Sequence, residues 1–238
     1  RDYWCQVIDI DLPPIVRLER QGGGADAISK AADLLSKAKF PVILSGAGVV
    51  IGGAIEETKK LAEKLDSPVC SGYQHNDSFP GSHPLAVGPL GYNGSKAAME
   101  LISKADVVLA LGTRLNPFST LPGYGIDYWP KKATIIQVDM NPDRIGLTKK
   151  VSVGICGDAK QVAQQILDKL SSDAGNTGRE ERKNLIHKTK SAWLQTLSGL
   201  DHEEDDPGTV WNKEARERDK DRMSPRQAWR AIQDALPQ

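Results

Sequence analysis

Three observations predict an α/β fold in which a parallel sheet is flanked by helices. Between residues 24 and 170, short β-branched runs alternate with amphipathic segments, the pattern of repeated β-α units. The first run, PVILS, leads directly into a glycine-rich turn and a second amphipathic segment. Two connections are much longer than usual in a compact domain, and both follow the carboxyl ends of predicted strands, the edge on which open α/β sheets bind ligands.

The elements follow in order. Ala27, Ala31, Leu34, Leu35 and Ala38 recur at helical spacing and form one apolar stripe ahead of the strand PVILS. Past the glycines, a second helix carries Ile55, Leu61, Ala62 and Leu65, and the strand SPVCS follows. A long loop then runs to Asn93, where Ser95 is placed to cap the helix SKAAMELISKA. The strand DVVLALG is followed by the second long loop, to Lys132, and then by the strands ATIIQVD and VSVGI. Asp158 stands at the N-cap of the helix that opens at GDAKQVAQQILDKL, where its carboxylate can accept from the free amides of the first turn.

Beyond Leu170 the character changes. SSDAGNTG reads as a polar linker, REERKNLIHKTKSAWLQTLSGL as an amphipathic helix with its charges on solvated faces, and DHEEDDPG as an acidic break. MSPRQAWRAIQDALPQ starts a fresh helix, with Ser224 as N-cap and Pro225 at its first position. The expected organisation is a lead-in segment over residues 1–23, a domain over 24–170, a helical and charged linker over 171–223, and the first helix of a further domain over 224–238. With no initiator Met and no signal pattern, the chain reads as a piece of something longer.

Composition narrows the function classes. Formal charge balances at 31 basic against 31 acidic residues, so no long-range field draws the molecule toward nucleic acid or an anionic membrane. The apolar run over residues 40–55 is too short to span a bilayer and holds Pro41 and four glycines. Cys5, Cys70 and Cys156 are far apart, without a Cys-x-x-Cys pair, which suits buried structural residues in a reduced, cytoplasmic protein.

The turn SGAGVVIGGA raises the question of a dinucleotide fingerprint, Gly-x-Gly-x-x-Gly, in which each glycine has a steric task. Gly46 and Gly48 fit, but Ile51 takes the third place and Gly52 and Gly53 come late. The acidic residue expected after the second strand is also missing, since Asp66 precedes it. The glycines either permit a tight strand-to-helix turn or line a helix start able to hold a phosphate. Arg114, three residues beyond a buried strand, puts a permanent cation where an anion would meet it, or else pairs with a carboxylate of another domain. Asp139 either accepts from a ribose hydroxyl or caps the turn MNPDR. His75, Asp77 and His83 share one loop without the spacing of a zinc site, so turn and interface roles are expected for them.

Taken in order, SGAGVVIGGA, GSHPLAVGPLGYNGS, ADVVLALGTRLNPF, IIQVDMNPDRIG and VGICGDAKQV resemble the central domain of the thiamine diphosphate-dependent enzymes of the acetolactate synthase and pyruvate oxidase group. The resemblance implies a Rossmann-like parallel sheet flanked by helices, continued by a helical C-terminal linker. It also implies that thiamine diphosphate and Mg2+ are bound by other domains, through a glutamate and a Gly-Asp-Gly...Asn segment that this sequence lacks. The portion in hand should therefore not catalyse alone. In flavin-binding members of the group a nucleotide lies along the carboxyl edge, and the matching positions are Gly46, Gly48, Tyr92, Asn93, Arg114, Asp139 and Asp158. Asn93 replaces a His of those members, and Asn116-Pro117-Phe118 replaces Asp-Asp-Arg, which argues against FAD.

RDYWCQVIDIDLPPIVRLER, GYQHNDSFPGSHPLAVGPLGYNGSKAAMELI and NPFSTLPGYGIDYWP carry a narrower resemblance, to members that act on sulfoacetaldehyde and phosphate. It implies release of sulfite and formation of acetyl phosphate in taurine and sulfonate breakdown, by a homodimer or homotetramer when full-length. An acetolactate synthase-like carboligase and a self-standing nucleotide-binding module stand as the alternatives.

Overall fold

The computed structural model describes residues 19–201 and 225–236. Ser224, expected as an N-cap, and Cys5 lie outside the described residues. Six strands form one parallel sheet in the order β3-β2-β1-β4-β5-β6, built from β1 (Pro41–Ser45), β2 (Val69–Ser71), β3 (Ala86–Pro89), β4 (Val107–Leu111), β5 (Thr134–Asp139) and β6 (Val153–Cys156). This is the doubly wound order with a reversal between the first and fourth strands. The helices are α1 (Ala25–Lys37), α2 (Ala47–Gly52), α3 (Ile55–Leu65), α4 (Lys96–Ile102), α5 (Ala159–Lys169), α6 (Arg179–Asp201) and α7 (Pro225–Ala235).

Strand periodicity divides the core into two layers. Ile43, Leu109, Leu111, Ile136 and Val138 face α1, α3 and α5. Val42, Leu44, Val108, Ala110 and Ile135 face the opposite way and share a cluster with Met99 of α4 and Ile186 of α6. Every residue of β1 and β4 is buried, as expected of central parallel strands covered on both faces. The predicted caps form: Ser95 accepts from Ala98 N, and Asp158 accepts from Lys160 N and Gln161 N.

Several features depart from the sequence reading. Within the first long loop, Ala86–Pro89 pairs in parallel with β2 as an edge strand, where the proline's missing donor is tolerated. The packed layers extend past Leu170, because α6 lies against α4 and buries Ile186. Among the charges expected to be solvated there, Arg182 is only 1% exposed. Its guanidinium donates to the carbonyls of Lys39, Leu65, Asp66, Gly175 and Thr177 at 2.5–3.0 Å. Cys70 is buried, and burial pushes its thiol up. Cys156 is exposed instead, because β6 is an edge strand with alternating burial. Among the described residues no helix is long and apolar enough to cross a membrane.

Candidate functional site

Where the strand order reverses, the connections leaving β1 and β4 diverge, and a cleft of about 550 Å³ opens at the carboxyl edge of the sheet. Gly46 and Gly48 form its floor. Gly46 N donates to Leu111 O at 3.1 Å, Gly48 N to Gly112 O at 2.8 Å, and Val49 N to Gly46 O at 3.0 Å, so these amides serve the fold. A Cβ at Gly48 would fall 2.7 Å from Gly112 Cα, and one at Gly46 would fall 2.6 Å from Thr113 Cβ. The two glycines are needed because the turn touches the β4–β5 loop backbone to backbone. Ile51, in the third fingerprint place, is 81% exposed, and α2 ends at Gly53 in the left-handed region.

Asp139 and Asp158 line the cleft from the ends of β5 and β6. Asp139 Oδ1 accepts from Asn141 N at 2.9 Å, so it caps the MNPDR turn, the more local of its two expected roles. Asp158 is 6% exposed; its Oδ1 caps α5, while its Oδ2 lies 3.8 Å from Arg20 Nη1. Arg20 also donates to Gly52 O and so spans the corner between α2 and α5. Arg114 lines the cleft in an exposed position and, among the described residues, has no carboxylate partner. Arg144 joins it from the 3-10 turn Pro142–Arg144. Three guanidiniums and two carboxylates thus share one rim, which suits a ligand with separated anionic and hydroxyl groups.

Tyr92 and Asn93 do not line the cleft. Tyr92 is 56% exposed and meets Tyr73, which does, edge-on at 6.0 Å between ring centroids. Asn93 holds the left-handed region at φ 54°, as do Gln74, Leu115 and Tyr124 in the neighbouring loops. Backbone strain of this kind, on the order of 1–3 kcal/mol per residue, persists only where surrounding contacts over-determine it. Of the histidines, His75 lines the cleft with Nδ1 4.0 Å from Asp77. His83 lies outside it, with Nε2 donating to Glu63 Oε1 at 3.2 Å and Nδ1 accepting from Leu85 N. Among the described residues no three His, Cys, Asp or Glu side chains are grouped to hold a metal ion.

The sequence reading missed Arg20, Arg144 and Gln137. Gln137 is 1% exposed in the middle of β5, where its amide donates to Thr113 O and Arg144 O at 3.1 Å and its Oε1 accepts from Gly146 N at 2.9 Å. It ties the Arg114 loop to the Arg144 turn. The signal was a lone polar residue inside the apolar run IIQV. Arg20 and Arg144 had no such signal, because only the fold brings them to the rim.

Comparison with known proteins adds three findings. The family model described as "Thiamine pyrophosphate enzyme, central domain" matches residues 28–166. The chain is 77% identical over 237 residues to a probable sulfoacetaldehyde acetyltransferase of Rhizobium meliloti (strain 1021), covering 100% of this chain and 40% of that protein. It is 73% identical over 237 residues to a sulfoacetaldehyde acetyltransferase of Roseovarius nubinhibens (strain ATCC BAA-591 / DSM 15170 / ISM), covering 100% and 39%. The chain thus spans about 40% of the length of these curated relatives. Among solved structures, benzoylformate decarboxylase from Polynucleobacter necessarius shares the fold with TM-score 0.57 at 24% identity, over 74% of this chain and 33% of that one.

Proposed function

This chain belongs to the thiamine pyrophosphate enzymes, whose central domain it carries, and on that basis we propose that it serves an acetyltransferase converting sulfoacetaldehyde and phosphate to acetyl phosphate and sulfite. The observation that carries the reading is identity of 77% along the whole chain to a relative of that name.

The residues in hand do not fit thiamine diphosphate with Mg2+: the sequence has no Gly-Asp-Gly segment, and the described acidic side chains form no metal-binding group. Cofactor chemistry is therefore assigned to the remainder of the polypeptide. FAD does not suit the cleft either. Asn116 Oδ1 is engaged with Phe118 N, and Gly46 N, Gly48 N and Val49 N of the glycine turn bond within the fold.

What this chain contributes is a rigid sheet edge and charged loops. Gly46, Gly48, Arg114, Asp139 and Asp158 form the crevice, and the loops over residues 72–93 and 112–128, with Tyr92, Asn93 and Arg114, face the active site. Their guanidinium and amide donors suit the sulfonate of the aldehyde and the phosphate acceptor. The same reading makes the complete protein a cytoplasmic, Mg2+-dependent homodimer or homotetramer of taurine breakdown. It sets the central domain at residues 24–170, between a lead-in over 1–23 and a linker over 171–223 whose helix α6 packs onto that domain, with 224–238 opening the cofactor domain.

The test is sulfite release from sulfoacetaldehyde and phosphate by the complete polypeptide carrying this chain. Thiamine diphosphate dependence is expected, and Arg114→Ala should lower kcat/KM about 10- to 100-fold, the loss of one charge-assisted hydrogen bond. Release of sulfite without the cofactor would end the proposal. Unchanged kinetics in both Arg114→Ala and Asn93→Ala would remove the loops from the active site.

A further inference from the structure

Tyr124 occupies an uncommon position. Gly123, Tyr124, Gly125 and Ile126 form a reverse turn closed by Ile126 N donating to Gly123 O at 2.9 Å. Its two central residues have φ of 52° and 69°, the pattern of a primed turn that favours Gly, Asn and Asp. A tyrosine there is sterically disfavoured, and burial does not hold it, since it is 55% exposed. Two contacts do. Its hydroxyl donates to Gly94 O at 3.0 Å, and its ring meets Trp193 of α6 edge-on, with centroids 5.6 Å apart and planes at 67°.

Trp193 is delivered by a helix that is anchored independently of this loop. Arg182 fastens the start of α6 to the α1–β1 connection at Lys39 and to the end of α3, and Lys190 Nζ donates to Pro84 O at 2.7 Å and His83 O at 3.3 Å. On the other side, Gly94 belongs to a loop stitched into the cleft wall. Tyr92 N donates to Phe118 O at 3.0 Å, and Tyr73 N donates to Ser119 Oγ at 3.2 Å. Tyr73 and Ser119 line the cleft.

We propose that Trp193 and Tyr124 form a brace through which α6 sets the conformation of the loops over residues 91–94 and 116–128. Both are positioning residues, and the kinetic consequence rests on the reading above that these loops face the active site. The helix that leads toward the C-terminal part of the chain thereby holds a strained turn in place, and the turn holds the neighbouring loop by one hydrogen bond.

Hydrogen exchange followed by mass spectrometry on the 238-residue chain tests the brace directly. Trp193→Ala is expected to raise amide exchange in residues 91–94 and 120–127 by about five-fold, the worth of one aromatic pair, with β1, β4 and β5 unchanged. Trp193→Phe, which keeps an edge-on partner, should restore protection. Tyr124→Phe should loosen residues 91–94 more than 120–127, because only the bond to Gly94 is lost. Unaltered exchange in Trp193→Ala would overturn the proposal, and so would an equal rise across the sheet, the mark of a general loss of stability. In the complete polypeptide, Trp193→Ala should raise KM for the aldehyde several-fold with kcat little changed, and Trp193→Phe should reverse it. If exchange rises in the loops and KM does not move, the brace stands and the placement of these loops at the active site falls.

Discussion

Replacing Arg182 by methionine tests the most unusual feature of the fold. The guanidinium is buried, which lowers its pKa, with the Asp66 carboxylate acting in the opposite direction. Its five bonds go to main-chain carbonyls, those of Lys39, Leu65, Asp66, Gly175 and Thr177. Two of these, Leu65 and Asp66, lie at the end of α3, where carbonyls lack intrahelical partners and the helix dipole favours a cation. Methionine matches the stem but supplies no donor, so several buried carbonyls lose their partner at about 1–3 kcal/mol each. Relief of the cost of burying the charge offsets part of this, leaving a net loss on the order of 3–5 kcal/mol. For a chain of this size that corresponds to a fall in Tm of roughly 6–20 °C. Urea unfolding followed by circular dichroism, at unchanged m-value, measures the loss. An Arg182→Met variant within about 1 kcal/mol of wild type would show that desolvation cancels the bonds, and the clasp would then contribute nothing to stability.

Two further outcomes follow from the cleft floor. Gly48→Ala sets a Cβ 2.7 Å from Gly112 Cα and should cost about 1–3 kcal/mol by overpacking. Gly81→Ala, in an exposed turn with nothing within 4 Å, is the control and should leave Tm unchanged; equal effects of the two in thermal melts would refute the packing role of the turn. Gln137→Leu leaves Thr113 O, Arg144 O and Gly146 N without their partner and should cost about 1–3 kcal/mol. Faster hydrogen exchange at residues 112–115 and 144–146 is expected with it, and unchanged exchange there would detach Gln137 from the two loops.

The alternation of strands and helices is legible without coordinates, because periodicity and capping are local. PVILS and VVLAL read as buried parallel strands and are such, and Asp158 and Ser95 cap the helices they precede because their donors lie within three residues. The resemblance, carried by ordered motifs, reached the family. The rest was settled by packing. Edge strand β3 has a weak pattern of its own, AVGP, and exists because β2 offers it a partner. Arg182 reads as one charge among many until residues 116, 117 and 143 positions away bring their carbonyls to it. Arg20 reaches Asp158 across the whole domain. Tyr124 looks like an ordinary loop aromatic, and only the approach of Trp193 and Gly94 shows what holds it in the left-handed region. Short-range chemistry is written in neighbouring residues, whereas a buried cation, a shared rim and a braced turn depend on which distant backbones the sheet order brings together.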